Sequence, residues 1–93
     1  MSQQQTQEHI LRALSSAIGE LKDPRVPLIV TVERIHLAKD LSKAKVYLST
    51  LGNMAQLLEA LESAKGHLQR ELAGRVQMRK TPLPEFVDAS VTF

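Results

Sequence analysis

Residues 53–76 read NMAQLLEALESAKGHLQRELAGRV, and this stretch decides the fold. It opens with a capping signal, because Asn53 can accept hydrogen bonds from the first helical amides and Gln56, three residues on, can reach back. Hydrophobic residues then recur at helical spacing and form one stripe. They are Met54, Leu57, Leu58, Leu61, Leu68, Leu72 and Val76.

The stripe is interrupted where Lys65 and Gly66 follow Ala64. At roughly 100° per residue, Lys65 would lie about 40° from Leu61, inside the buried face. A glycine costs a helix roughly 1 kcal/mol relative to alanine. A charged residue in a buried stripe and a glycine inside a helix both break the local rules of helix formation, and such violations often mark functional sites. We therefore predict a kink at Ala64, Lys65 and Gly66 that turns Lys65 out of the core. The alternative is a straight helix whose Lys65 side chain extends past the core to solvent.

The chain has 93 residues, which suits one domain, and we predict a flexible polar tail over residues 1–5 and a single domain over residues 6–93. Hydrophobic content of 43% and charged content of 24% argue against wholesale disorder. The absence of cysteine excludes disulfides and thiolate metal sites. No basic-then-apolar leader and no apolar run of membrane length is visible, so a soluble cytoplasmic protein is predicted.

The formal net charge is only +2, but the basic residues gather in two segments. Residues 65–80 hold five basic residues and one acidic residue, and residues 22–45 hold six basic and three acidic residues. One positive face on a small domain is typical of a nucleic-acid binder. The alternative is a mixed, solvated surface without a partner.

The first half of the chain predicts a helix followed by a hairpin. Thr6 is a candidate N-cap, and the helix should end before Pro24, because the residue preceding a proline disfavours helical backbone. Residues 28–38 are strand-like, but their hydrophobic phase changes midway, which a bulge near Glu33-Arg34 would explain. Residues 44–49 alternate regularly and predict the second strand.

The end of the chain predicts a last strand over residues 85–93, with Phe86 as its anchor and Val87, Val91 and Phe93 as lesser contacts. The element order is then α-β-β-α-α-β. We predict an α+β fold in which the helices cover one face of a three-stranded sheet and leave the other face in solvent.

The sequence offers little for catalysis. His9, His36 and His67 fall on three different predicted elements, without a partner at metal-ligand spacing. No phosphate-binding loop or nucleophile elbow occurs. We therefore predict no enzyme, no metal and no cofactor.

Aromatic residues are also few, which argues against a sheet that stacks RNA bases. They are Tyr47, Phe86 and Phe93, and base-stacking sheets use more of them. A nucleic acid would then be bound through phosphate contacts. Gly66, which lacks a Cβ, would let a phosphate approach the backbone amides.

Six short segments occur in an order and spacing that are specific together, although each is weak alone. They read LKDPRV at 21–26, KDLS at 39–42, AKVY at 44–47, SAKG at 63–66, REL at 70–72 and RKTP at 79–82. Together they resemble the bacterial ribosome-binding factor A family, over about residues 10–86.

The resemblance implies a type II KH-like domain, in which a kink at Ala64, Lys65 and Gly66 replaces the Gly-x-x-Gly loop of other KH domains. It implies a non-enzymatic, monomeric factor that binds the free small (30S) ribosomal subunit and assists late maturation of its 16S rRNA, above all in the cold. No membrane and no small-molecule substrate are implied. Pro84 and the residues after Asp88 depart from the family pattern, which leaves the register of the last strand open.

The cations of the basic segments, together with the kink, are the predicted RNA contacts. They are Lys22, Arg25, Lys65, Gly66, Arg70, Arg75, Arg79 and Lys80. Two other functions stay open at this point: a KH-like protein with another RNA target, and a protein-interaction module of the same fold whose basic residues only confer solubility.

Overall fold

The computed structural model describes residues 3–91, and within them it has the predicted order of elements. None of the helices described is long and apolar enough to cross a membrane. The elements are α1 (Gln3–Gly19), β1 (Val30–Leu37), β2 (Lys43–Thr50), α2 (Met54–Ser63), α3 (Lys65–Arg75), β3 (Leu83–Asp88) and a final 3-10 turn (Ala89–Val91).

The three strands form one sheet in the order β1-β2-β3, and the helices pack on one of its faces. β1 and β2 are antiparallel, whereas β3 runs parallel to β2, a connection that needs a long crossover. α2 and α3 supply that crossover. Along β2, Val46 and Leu48 are fully buried against the helices, while Lys43 and Lys45 are exposed. The predicted α+β arrangement is confirmed.

A bulge at Glu33 lets both halves of β1 contribute to the core. Val32 pairs with Leu48 and Arg34 pairs with Tyr47, so Glu33 is the extra residue. Without it, the period-two alternation of a strand would turn the residues on one side of Glu33 to the opposite face. Val32 before the bulge and Ile35 and Leu37 after it are instead all buried in the core. The bulge predicted from the phase change is confirmed.

α1 begins earlier than predicted. It starts at Gln3, so Thr6 lies inside the helix and is not its N-cap. Glutamine is a good helix former, and the Gln7 side chain accepts a hydrogen bond of 2.9 Å from the Leu37 amide at the end of β1, which holds the early turns in place. Met1 and Ser2 lie outside the described residues, and the mobility of the tail stays a prediction.

The last strand also has different ends. β3 begins at Leu83 and stops at Asp88, because the Asp88 carboxylate accepts hydrogen bonds from the Ser90 amide (2.9 Å) and hydroxyl (2.8 Å) and starts a turn. Phe86 is half-buried and packs on the core, as predicted for the anchor, and Val87 is half-buried as well. Val91 lies in the final 3-10 turn, outside the strand, and is 66% exposed, contrary to the prediction. The prediction for Phe93 lies outside the described residues.

The connection between β1 and β2 contains a strained residue. Leu41 has a φ of 64°, the left-handed region that leucine rarely adopts. Such a conformation costs roughly 1–3 kcal/mol and is kept only where surrounding contacts enforce it. The Ala38 carbonyl accepts a hydrogen bond from the Leu41 amide, and the Asp40 carboxylate accepts two from Ser42. These bonds lower the pKa of Asp40, and the charge of nearby Lys80 lowers it further.

Deletion of Glu33 tests the bulge. We expect the deletion to lower the free energy of unfolding by roughly 3 kcal/mol or more, because two aliphatic side chains leave the core at about 1.5–3 kcal/mol each. Urea unfolding followed by circular dichroism measures this. Glu33→Ala is the control, since it keeps the chain length and removes only the hydrogen bond donated by Ser49. A deletion variant as stable as this control would contradict the role of the bulge.

Candidate nucleic-acid interface

The long helical stretch is divided at Ala64. Asn53 caps α2 by accepting a hydrogen bond of 3.0 Å from the Gln56 amide, as the sequence predicts. α2 ends at Ser63 and α3 starts at Lys65, with Ala64 between them at φ −94° and ψ 5°. This is the sparsely populated bridge region of the backbone. The predicted break is present, and its joint is Ala64, immediately before Lys65-Gly66.

The break keeps hydrophobic residues buried on both sides of a lysine. Leu61 before the joint and Leu68 after it are both fully buried. Between them, the Lys65 side chain is 23% exposed, and its ammonium group lies 2.8 Å from the Glu62 carboxylate. The ammonium group is therefore paired at the surface, while most of the Lys65 side chain stays covered.

Gly66 is not required by the backbone. Within the described residues no glycine has a positive φ, and Gly66 is an exposed helical residue. A Cβ added there would meet only the Arg70 guanidinium, at an ordinary contact distance of 3.5 Å. The backbone at Gly66 therefore admits alanine. What the glycine provides is an uncovered surface at the first turn of α3.

Lys65, Gly66 and Arg70 lie together at this turn, and we call them the kink cluster. Arg70, one turn further along α3, reaches back so that its guanidinium lies beside Gly66. The first turn of α3 carries no acidic residue and no side-chain cap. Because a helix N-terminus carries a partial positive charge, the kink cluster is suited to attract an anion.

Lys39, Arg79 and Lys80 are brought near one another by the segment that follows α3, and we call them the loop cluster. Gln69 of α3 donates a hydrogen bond of 3.1 Å to the Thr81 carbonyl, which ties this segment to the helix. Lys39 and Arg79 line the same cavity. The pKa of Asp40 is lowered mainly by its hydrogen bonds from Ser42, and the charge of Lys80, which lies nearby, lowers it further. Lys39 is absent from the predicted contacts, although it belongs to the basic segment 22–45.

Two of the predicted contacts are already held by carboxylates. Arg25 pairs with Asp23 at 2.7 Å, and their hydrogen bond raises the pKa of Arg25 and lowers the pKa of Asp23. Arg75 pairs with Glu20, which joins α3 to the end of α1, and with Glu71 at 2.9 Å within α3. The hydrogen bonds to these two carboxylates raise the pKa of Arg75. Both arginines therefore have a structural partner.

Other cations have no such partner. Within residues 3–91, seven exposed cations have no carboxylate within ion-pair distance. They are Lys22, Arg34, Lys39, Lys45, Arg70, Arg79 and Lys80. Lys22 follows the C-terminal end of α1, which is about 25 Å long. The cavity of the loop cluster lies near the other end of this helix, because Thr6 lines it. The predicted contacts thus form separate groups and not one patch.

The open face of the sheet carries further cations that the prediction omitted. The Arg34 guanidinium lies over the Tyr47 ring, 4.1 Å from its centroid, and Lys45 is exposed beside them. Lys43 lies 4.0 Å from Glu85 of β3. The regular alternation of β2 is the signal that places Lys45 and Tyr47 on this face. No group of three potential metal ligands occurs in the part of the chain that the structure describes.

Comparison with known proteins gives the family. The family described as Ribosome-binding factor A matches residues 2–92. Ribosome-binding factor A of Agathobacter rectalis is 40% identical over 91 residues, which cover 92% of this chain and 75% of that protein.

Solved structures agree with this match. The crystal structure of ribosome-binding factor A from Thermus thermophilus superposes with a TM-score of 0.91 at 34% identity and covers 98% of this chain and all of that one. A homology model of the Thermus thermophilus factor was fitted into the cryo-electron microscopy map of a 30S complex. It superposes with a TM-score of 0.76 at 38% identity and covers 87% of this chain and 88% of that one. The chain belongs to the ribosome-binding factor A family.

Proposed function

We propose that this protein binds the free small ribosomal subunit and assists late maturation of its 16S rRNA, including processing at the 5′ end. The observation that carries the proposal is the likeness to the Thermus thermophilus factor that was fitted into a 30S complex. The protein would act in the cytoplasm as a monomer. It would catalyse no reaction and need no cofactor.

The physical means is selective binding. A protein that binds one conformation of the rRNA more tightly than its alternatives increases the population of that conformation. The protein itself would make or break no covalent bond, so the absence of a catalytic constellation in the sequence is compatible with this function. The effect matters most where rRNA rearranges slowly, as it does in the cold.

The contacts that we propose are made to phosphates. Arg70, Arg79 and Lys80 have no carboxylate partner in the described part of the chain and are exposed. Lys65 can exchange Glu62 for a phosphate, because the Glu62 side chain is 64% exposed and ion pairs at the surface contribute only about 0–1 kcal/mol. Gly66 would let the phosphate approach the first turn of α3.

The other predicted contacts differ in their position and in whether a carboxylate already holds them. Lys22 is exposed and available, but it lies apart from the other two clusters. Arg25 and Arg75 are bonded to carboxylates and would contribute less to RNA binding. Lys39, which the loop cluster adds, takes a place beside Arg79.

Co-sedimentation with separated ribosomal subunits tests the partner. We expect the protein to sediment with small subunits and to remain unbound with large subunits and with joined ribosomes, because the proposed target is the free small subunit. Equal sedimentation with all three particles would contradict the proposal. Equal binding to unrelated structured RNA would favour the alternative of a KH-like protein with another target.

The salt dependence of subunit binding tests the mode of contact. With five to seven phosphates contacted, the slope of log affinity against log salt should be about −3.5 to −6, at 0.7–0.9 per contact. Arg70→Ala should flatten it by about one contact's share, with an unchanged thermal midpoint. The matched control is Arg12→Ala, which removes the same charge from an exposed position on α1. A slope near zero would favour the protein-interaction module, and equal losses in both variants would mean that only net charge matters.

Gly66→Ala tests the uncovered first turn of α3. Because Gly66 is helical and a Cβ fits there, the substitution should raise the free energy of unfolding by up to roughly 0.5–1 kcal/mol. It should also weaken subunit binding, since the new methyl group occupies the surface that a phosphate would approach. Gly74→Ala, in the same helix with nothing within 4 Å, is the control and should stabilise without weakening binding. If both variants bind normally, no phosphate approaches Gly66.

A further inference from the structure

A groove lies where the early turns of α1, the end of β1, the β1–β2 connection and the segment after α3 meet. Its volume is about 470 Å³, within the range of small-ligand sites. Leu37, Leu41 and Met78 form its apolar part, and Lys39 and Arg79 supply its charge. We call it the Leu41 groove.

The shape of the groove depends on a backbone conformation that is unfavourable for leucine. Leu41 has a φ of 64°, and among the residues that the structure describes no other non-glycine residue has a positive φ. The side chain is half-buried against the core and lines the groove. Glycine or asparagine would adopt this backbone more readily, but glycine would leave the apolar wall of the groove without this side chain. Strain of this kind clusters at binding sites.

The charge at the groove is unbalanced. Neither Lys39 nor Arg79 makes an ion pair with a carboxylate of residues 3–91. The nearby Asp40 carboxylate accepts its hydrogen bonds from Ser42, and the charge that interacts with it is that of Lys80. An apolar surface beside two unpaired cations matches a ligand with one flat, weakly polar part and one anionic part.

We propose that the Leu41 groove takes a single unstacked nucleotide of an RNA strand, with its base against Leu41 and Met78 and its phosphate between Lys39 and Arg79. Sequence-specific recognition of RNA mostly targets unpaired bases, because the major groove of an A-form duplex is too deep and narrow for side chains to read. The polarisable thioether of Met78 adapts to a flat surface. The inference rests on the proposed function and adds a base contact to a surface otherwise assigned only phosphate contacts.

The hydrogen bond between Gln69 and Thr81 ties the segment that carries Arg79 to the helix that carries Arg70. The groove is therefore anchored to the helix of the kink cluster, although the two groups of cations are separate.

Methyl NMR of the wild-type protein tests the base contact directly. The probes are pentaadenylate and a five-residue abasic RNA of the same charge. We expect the Leu41 and Met78 methyl signals to shift with pentaadenylate and to stay in place with the abasic strand. Equal shifts with both strands would overturn the proposal, because the groove would then respond to phosphate alone. No shift with either would overturn it as well.

Subunit binding by two kinds of variant separates the base from the phosphate. Met78→Gln should weaken binding by about fivefold or more, by comparison with other base contacts, while the salt slope stays unchanged. Lys39→Ala should flatten the slope by about one phosphate's share. Leu51→Gln is the matched control, since Leu51 is 98% exposed and distant in sequence from the groove. Wild-type affinity in Met78→Gln would overturn the proposal.

The two experiments also distinguish this inference from the function on which it rests. If the wild-type protein fails to sediment with small subunits but its methyl signals respond to pentaadenylate only, the proposed function fails and the groove stands. If it sediments as expected and the methyl signals do not move, the groove fails alone. Should Met78→Gln not fold, Leu41→Asn is the second variant, because asparagine tolerates the left-handed backbone, and the wild-type NMR result is unaffected.

Discussion

The structure depends on one constraint: a lysine stands where a continuous helix would require a buried hydrophobic residue. Burial of an unpaired ammonium group is far more costly than a local distortion of the backbone. Ala64 absorbs the distortion by adopting the bridge conformation, and Leu61 and Leu68 stay in the core on either side. The same break produces a second helix N-terminus at the surface, so a requirement of packing creates the candidate site for anions.

The basic residues divide between two tasks, which composition alone does not reveal. Arg75 joins α1 to α3 through Glu20 and Glu71, and Arg25 holds the turn after α1 through Asp23. These arginines stabilise the arrangement that presents the others. Arg70 and Arg79 lie on elements fixed in this way and have no internal partner in the described part of the chain.

Sequence periodicity predicted the features that depend on side chains near one another in the chain. The phase change between Val32 and Ile35 predicted the bulge, and Lys65 together with Gly66 predicted the break. Features that depend on distant or conformational information were missed. The pairing of Arg75 with Glu20 joins residues 55 positions apart, and nothing in a leucine indicates the left-handed backbone of Leu41. The early start of α1 was missed because Thr6 has the chemistry of a cap, although glutamines before it can extend a helix.

The parallel pairing of β3 with β2 has a consequence for how the chain folds. β1 and β2 are joined by a short connection, so the hairpin can form as soon as its residues are available. β3 follows only after both helices, and until then the edge of β2 that it will occupy has unpaired amide and carbonyl groups. During synthesis, which adds about 5–20 residues per second, this edge would stay open for a few seconds. Lys43 and Lys45 project from that strand, and such charges are a common protection against pairing with another chain.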